Sequence, residues 1–209
     1  MQSPASVKIL HLTTHLNIGG ITRYIEMVGN RFIRMGYNVS VLSSGGQVES
    51  LLEQKGIRCH RLGIRTKSEL SPKLWWNLPA AVRLVKNEKF NLIHAHTRVA
   101  QVFASVISQV TGIPVVSTAH GFYRPKLGRR LFPMWGCRVI AISPLVAEEL
   151  HSKHRVSKSR IRLIENAVDI EELETLLLEA DPARIRTELG IEADAYVICC
   201  ISRLVKDKG

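Results

Sequence analysis

Neither of the glycine signatures that most often mark a nucleotide-binding βα turn occurs in this chain. No GxGxxG follows the first apolar run, and no GxxxxGK(S/T) is found anywhere. Dinucleotide binding through the usual fingerprint and P-loop chemistry are therefore set aside. No N-terminal stretch combines a basic start, an apolar core and a small-residue cleavage site, and no apolar run is long enough to span a bilayer. Cysteine is sparse: Cys59, Cys137, Cys199 and Cys200 have no metal-ligand spacing, which points to reduced thiols, a cytosolic site of action and no metal centre. Acidic residues are outnumbered, 18 against 29 basic ones, for a net charge of +11 in 209 residues. A basic surface attracts nucleic acid, an anionic membrane face or phosphorylated substrates, and charge alone does not choose among them. With no helix-turn-helix, zinc or RNA-binding signature, a nucleic-acid partner is not expected.

What is present is a regular alternation. Val7 to Thr13 reads as a short strand, followed by Ile21, Tyr24, Ile25, Val28 and Phe32 at helical spacing, closed by Gly36. Val39 to Leu42 is the next strand, and Leu51 and Leu52 lie in a short helix ended by Gly56. Ile57 to Leu62 and Asn91 to Ala95 continue the strands. Val99, Val102, Phe103, Val106, Ile107 and Val110 mark the apolar face of a helix ended by Gly112. Val115 to Ala119, Val139 to Ile142 and Ile161 to Ile164 complete the series, with Ser143-Pro144 as a helix start between the last two. Strands alternating with helices imply crossover connections, hence a Rossmann-like, doubly wound parallel α/β sheet. The expected organisation is a domain over 1–168 and a helical connection over 169–194. Residues 195–209 then open a second domain, because Ala195 to Ile201 reads as a buried strand that needs neighbours on both edges.

In such a fold ligands meet the carboxyl ends of the strands. After the first strand come His15, Asn17, Gly19 and Gly20, and two glycines opening a helix let backbone amides approach an anion. The fourth strand is followed by His96 and the fifth by His120-Gly121. Taken singly, each histidine is more often structural than catalytic. Their shared position at strand ends brings them toward one crevice if those strands are neighbours. Arg203 and Lys208 flank the last loop beside Gly209, two cations suited to clamping a diphosphate.

Gly19-Gly20 before an amphipathic helix, Asn91-Leu-Ile-His-Ala-His96, Ser117-Thr-Ala-His120-Gly121, Ala141-Ile-Ser143, Ile164-Glu-Asn166-Ala-Val-Asp169 and Ser202-Arg203-Leu-Val-Lys-Asp-Lys208-Gly209 stand in a fixed order. That series resembles family 4 glycosyltransferases of the GT-B fold over almost the whole chain. The resemblance implies two Rossmann-like domains facing a cleft, the first mainly for the acceptor and the second for a nucleotide-diphosphate sugar, which is a substrate; no cofactor is implied. By the same resemblance Gly19, Gly20 and His96 belong to an acceptor and phosphate loop, His120 contacts the transferring sugar, and Arg203 and Lys208 hold the donor diphosphate. The paired glutamates of the family would lie beyond Gly209. Transfer is expected to retain anomeric configuration without a protein-bound metal, in keeping with the lack of a DxD pair.

Three departures fall on backbone positions: Ala167 stands where the family has glycine, Ser202 where it has glycine, and Glu165 where it has proline. The acceptor is expected to be a glycan or a lipid-linked glycan of the cell envelope. Residues 122–135 interleave Arg124, Lys126, Arg129 and Arg130 with aromatics ending at Trp135, a mixture suited to an anionic membrane surface. That places the protein in the cytoplasm, peripheral at the inner membrane face. The other reading of the residues is a free-standing acceptor-recognition or partner-binding α/β domain without transferase activity.

Overall fold

A computed structural model describes residues 6–123 and 133–201. The chain divides into two units, Met1–Ala167 and Val168–Gly209. In the first, β1 (Lys8–Leu12), α1 (Gly20–Arg34), β2 (Asn38–Ser43), α2 (Glu49–Gln54) and β3 (Arg58–Arg61) are followed by α3 (Pro72–Trp76), α4 (Leu78–Asn87), β4 (Leu92–Ala95), α5 (Arg98–Thr111) and β5 (Val115–Ala119). β6 (Arg138–Ala141), α6 (Pro144–Ser152) and β7 (Ile161–Leu163) complete it. All seven strands pair in parallel in the order β3-β2-β1-β4-β5-β6-β7. This is the expected Rossmann-like α/β sheet.

Helices form where the sequence supplies both an apolar stripe and a stop. On α1 the stripe is interrupted by Gly29, where an added Cβ would lie 2.7 Å from Ile57 Cδ1, so the absence of a side chain is what lets the helix settle onto Val39 and Ile57. α5 is capped at both ends: the Thr97 side chain accepts from the Ala100 amide, and Gly112 takes a left-handed φ of 76°. On its expected face Val99, Val102, Phe103 and Ile107 are buried, Val106 is partly buried and Val110, at the far end, is exposed. α3 and α4 were not anticipated. Both carry proline in the first turn, where no amide partner is lost, and they bury Leu74, Ala81 and Val85.

Two apolar clusters separate the sheet faces. Leu10, Leu12, Ile93 and Ala95 point toward α4 and α5, meeting Val85, Phe103 and Ile107. Val39 and Val41 point the other way with Ile25, Leu52 and Ile57 of the α1 and α2 side. A third cluster joins Ala119, Val139 and Ala141 to Val146 and Leu150 of α6 around Trp135.

The second unit holds α7 (Ile170–Glu179) and α8 (Pro182–Glu188), capped by Asp169 and Asp181. The expected buried strand at Ala195–Ile201 is not formed: the segment has no strand pairing, and Tyr196, Ile198, Cys199, Cys200 and Ile201 are exposed. Within its own unit no other strand is present among the described residues to complete its backbone hydrogen bonds.

Gly136 sits in a tight turn. At φ 78°, its missing Cβ would sit 2.3 Å from the Val115 carbonyl oxygen, beside the Cys137 amide bond to that same oxygen. Gly136→Ala is expected to destabilise the domain by more than ~2 kcal/mol, against roughly 1 kcal/mol for Gly112→Ala, where φ is similar but the space is open. Chemical denaturation of both variants checks this, and equal midpoints would contradict it.

Candidate active site

The strand order reverses between β1 and β4, because the chain leaves β1 toward β2 and β3 and later returns on β1's other edge. A crevice opens at the carboxyl ends on either side of such a switch. Side chains alternate along a strand, so residues two apart share a face. His11 on β1 pairs directly with His94 on β4, and His96 follows His94 by two. On β5, Thr118 and His120 stand on the corresponding face. His11, His94 and His96 are buried and His120 is partly buried. Tyr24 of α1 covers them, its ring edge-on to His120 at 5.0 Å between centroids and tilted over His96 at 5.6 Å.

Hydrogen bonds run through the group. His11 Nδ1 lies 2.8 Å from His96 Nε2, and His96 Nδ1 lies 3.1 Å from His120 Nε2. His94 Nε2 meets the Thr118 hydroxyl at 2.7 Å. Burial disfavours the charged form, pushing His11 and His120 down to about 4 and His94 and His96 well below the ordinary imidazole value. At neutral pH all four rings are uncharged.

Nitrogens of His11, His94 and His96 lie within 4.8 Å of one another, close enough to raise a metal-ligand reading. Tetrahedral ligands about 2.0–2.1 Å from an ion stand ~3.3 Å apart. The 2.8 Å contact between His11 and His96 is shorter than that and is a hydrogen bond. The group is built as a polar chain.

Gly19 precedes α1 with extended backbone, and an added Cβ at Gly19 or Gly20 would meet nothing within 4 Å. The two glycines keep the amide end of α1 uncrowded, and no acidic residue occupies its first turn. The loop before them is tied down by the Thr22 hydroxyl donating to the Asn17 carbonyl at 2.7 Å and by Leu16 backbone bonds to Gly45 and Val48. His96, expected in the acceptor and phosphate loop, is fully buried with both ring nitrogens engaged. It therefore reaches the crevice only through His120.

After His120 the chain is clamped at Tyr123: its amide donates to Glu149 Oε1 at 2.8 Å, and His154 Nε2 lies 3.1 Å from its carbonyl oxygen. Trp135 does not belong to a membrane-facing patch. It is fully buried, packed edge-on against Tyr123 and His154, because Ser117 and Ser105 hold the backbone carbonyls of Trp135 and Met134 against β5 and α5. Phe122 is 65% exposed. Arg124, Lys126, Arg129 and Arg130, and also Arg203 and Lys208, lie outside the described residues. Ala167, in the place of the family glycine, does not take positive φ. His11, His94, Tyr24 and Thr118 were missed by sequence reasoning. The signal available was a polar residue inside each apolar run, at the period that places His11, His94 and His96 on one face.

The family model for Glycosyltransferase Family 4 matches residues 18–172, more than half of the chain. The chain belongs to Glycosyltransferase Family 4. It is 23% identical over 218 residues to the D-inositol 3-phosphate glycosyltransferase of an Arthrobacter species, covering 91% of this chain and 51% of that one. It is 24% identical over 144 residues to an Escherichia coli UDP-Gal:alpha-D-GlcNAc-diphosphoundecaprenol alpha-1,3-galactosyltransferase, covering 63% of this chain and 37% of that protein. Among solved structures, a glycosyltransferase of Rickettsia africae matches with a TM-score of 0.75 at 16% identity, over 90% of this chain and 50% of its own. HepE of Anabaena, solved with UDP and glucose, matches at 0.68 and 20%, over 88% of this chain and 50% of its own. These neighbours share the GT-B fold, and this family 4 chain spans about half the length of the curated relatives it matches. Among the described residues no helix is long and apolar enough to cross a membrane.

Acid should loosen this domain. His11 has a folded pKa of about 4 against 6.5 when unfolded, so between those values only the unfolded chain takes up the proton. The stability it contributes is full above pH 6.5 and is lost as pH falls toward about 4, on the order of 3 kcal/mol for this one ring. Urea midpoints measured from pH 7 to pH 4.5 should fall more steeply for the wild type than for His11→Leu. Parallel curves would contradict the assignment.

Proposed function

We propose that this chain is the acceptor-side half of an enzyme that moves a sugar from a nucleotide-diphosphate sugar to a glycan or lipid-linked acceptor. The observation that carries the proposal is His120: a neutral, partly buried imidazole at the carboxyl end of β5, backed by His96 and adjoining the first turns of α1 through Tyr24. A ring with a pKa of about 4 is a poor base at pH 7, so its use to a reacting sugar is as a fixed hydrogen-bonding group. Hydrogen bonds that strengthen as charge develops on the sugar accelerate transfer without a proton leaving the protein.

In the transfer the bond between the anomeric carbon and the donor phosphate oxygen breaks, the acceptor hydroxyl oxygen takes its place on the same face, and the hydroxyl proton passes to the departing phosphate. By the family resemblance Arg203 and Lys208 would stabilise the leaving diphosphate in place of a protein-bound cation. Support for a nucleotide sugar comes from HepE, solved with UDP and glucose, and for a lipid-linked acceptor from the diphosphoundecaprenol galactosyltransferase. The exposed Phe122 and the basic residues that follow it in sequence suit an acceptor presented at an anionic membrane face, with the protein peripheral on the cytoplasmic side.

The test is sugar incorporation from labelled uridine and guanosine diphosphate sugars by a two-domain protein that contains this chain. Transfer is expected, and His120→Ala should lower kcat by about 10²-fold with little change in melting temperature. The 209-residue chain alone should transfer nothing. Normal turnover in the His120→Ala protein would remove His120 from the site.

A further inference from the structure

A neutral imidazole has one N–H and one lone pair, so a chain of such rings has to be polarised in one sense from end to end. His96 sits in the middle with both nitrogens engaged, Nε2 to His11 and Nδ1 to His120. Only two arrangements satisfy it. In the first, His11 Nδ1–H donates to His96 Nε2, His96 Nδ1–H donates to His120 Nε2, and His120 carries its proton on Nδ1. In the second every proton moves to Nε2 and each bond reverses.

The far end of the chain decides between them. His11 Nε2 is buried and has no hydrogen-bond partner among the described residues. The first arrangement leaves an unpaired lone pair there; the second buries an unpaired N–H. Orphaned donors are the rarer and more costly of the two in protein interiors. We infer that His11 and His96 are positioning residues that lock His120 in the Nδ1–H tautomer, so that the ring nitrogen left to a ligand is a donor, matched to an oxygen that accepts. Burial of His11 and His96 serves the same end, since a protonated ring anywhere in the chain would break its polarity. The inference rests on the reading of His120 as the residue that meets the sugar, and it concerns which face of hydrogen-bonding chemistry His120 offers.

Long-range proton–nitrogen correlation spectra of the 209-residue chain, labelled with nitrogen-15 at histidine and recorded near pH 7, read the tautomers directly. His96 and His120 should each show a protonated Nδ1 and an unprotonated Nε2, although free histidine in water favours the opposite form. An Nε2–H signal for either ring, or an averaged mixture, overturns the proposal. In His11→Leu the single tautomer at His96 and His120 should give way to a mixture, and His11→Asn, whose amide can stand in for the Nδ1 donor, should restore it. If neither variant folds, the wild-type spectrum still decides. In the two-domain enzyme His11→Leu should lower kcat more than it raises KM for the donor. An Nδ1–H spectrum combined with full turnover by His120→Ala would uphold the tautomer lock and defeat the transferase reading of His120; an Nε2–H spectrum combined with lost turnover would do the reverse.

Discussion

An imidazole taken out of water resists protonation, and the carboxyl ends of β1, β4 and β5 gather four of them against one another with no acid among the described residues to offset the loss of solvent. Each ring must then be satisfied by a neutral partner. The short contacts from His11 to His96, from His96 to His120 and from His94 to Thr118 supply those partners. The constraint reaches outward: α1 has to bring Tyr24 over the group, and β5 has to end where His120 can touch both His96 below and the crevice above.

The sheet order makes that meeting possible. Because β1, β4 and β5 are parallel neighbours, the loop that opens α1 and the loops after β4 and β5 lie side by side at one end of the sheet. The opposite faces of the same strands carry Leu10, Leu12, Ile93 and Ala95 into an ordinary apolar core. One face of β1 and β4 thus stabilises the domain while the other holds the polar chain. On the proposed reading, a rigid neutral group at His120 would orient a sugar without adding charge to it.

Much of this was legible in the sequence, for identifiable reasons. Most strands of the sheet stand out as short apolar runs, β3 (Arg58–Arg61) being the polar exception flanked by Ile57 and Leu62, and Gly36, Gly56 and Gly112 mark helix ends because each adopts positive φ. α3 and α4, which the pattern of apolar runs does not single out, carry Pro72 and Pro79 in their first turns. Trp135 misled in the other direction: its basic and aromatic neighbours suggest an interface, whereas Tyr123 and His154 enclose it in the core. Ala195–Ile201 has strand composition, but an apolar run becomes a strand only beside another one. His96 and His120 were found by their place after strands. Their link to His11 depends on β1 and β4 being neighbours, which no local pattern encodes.

On the proposed reading the sugar is held at His120 above this chain of imidazoles. The most direct measurement is a crystal structure of a two-domain protein containing this half, with a nucleotide-diphosphate sugar bound. A sugar oxygen is expected about 3 Å from His120 Nδ1, with the His96 contact to Nε2 intact. A sugar bound away from the carboxyl ends of β1, β4 and β5, leaving His120 in contact with protein alone, would contradict it.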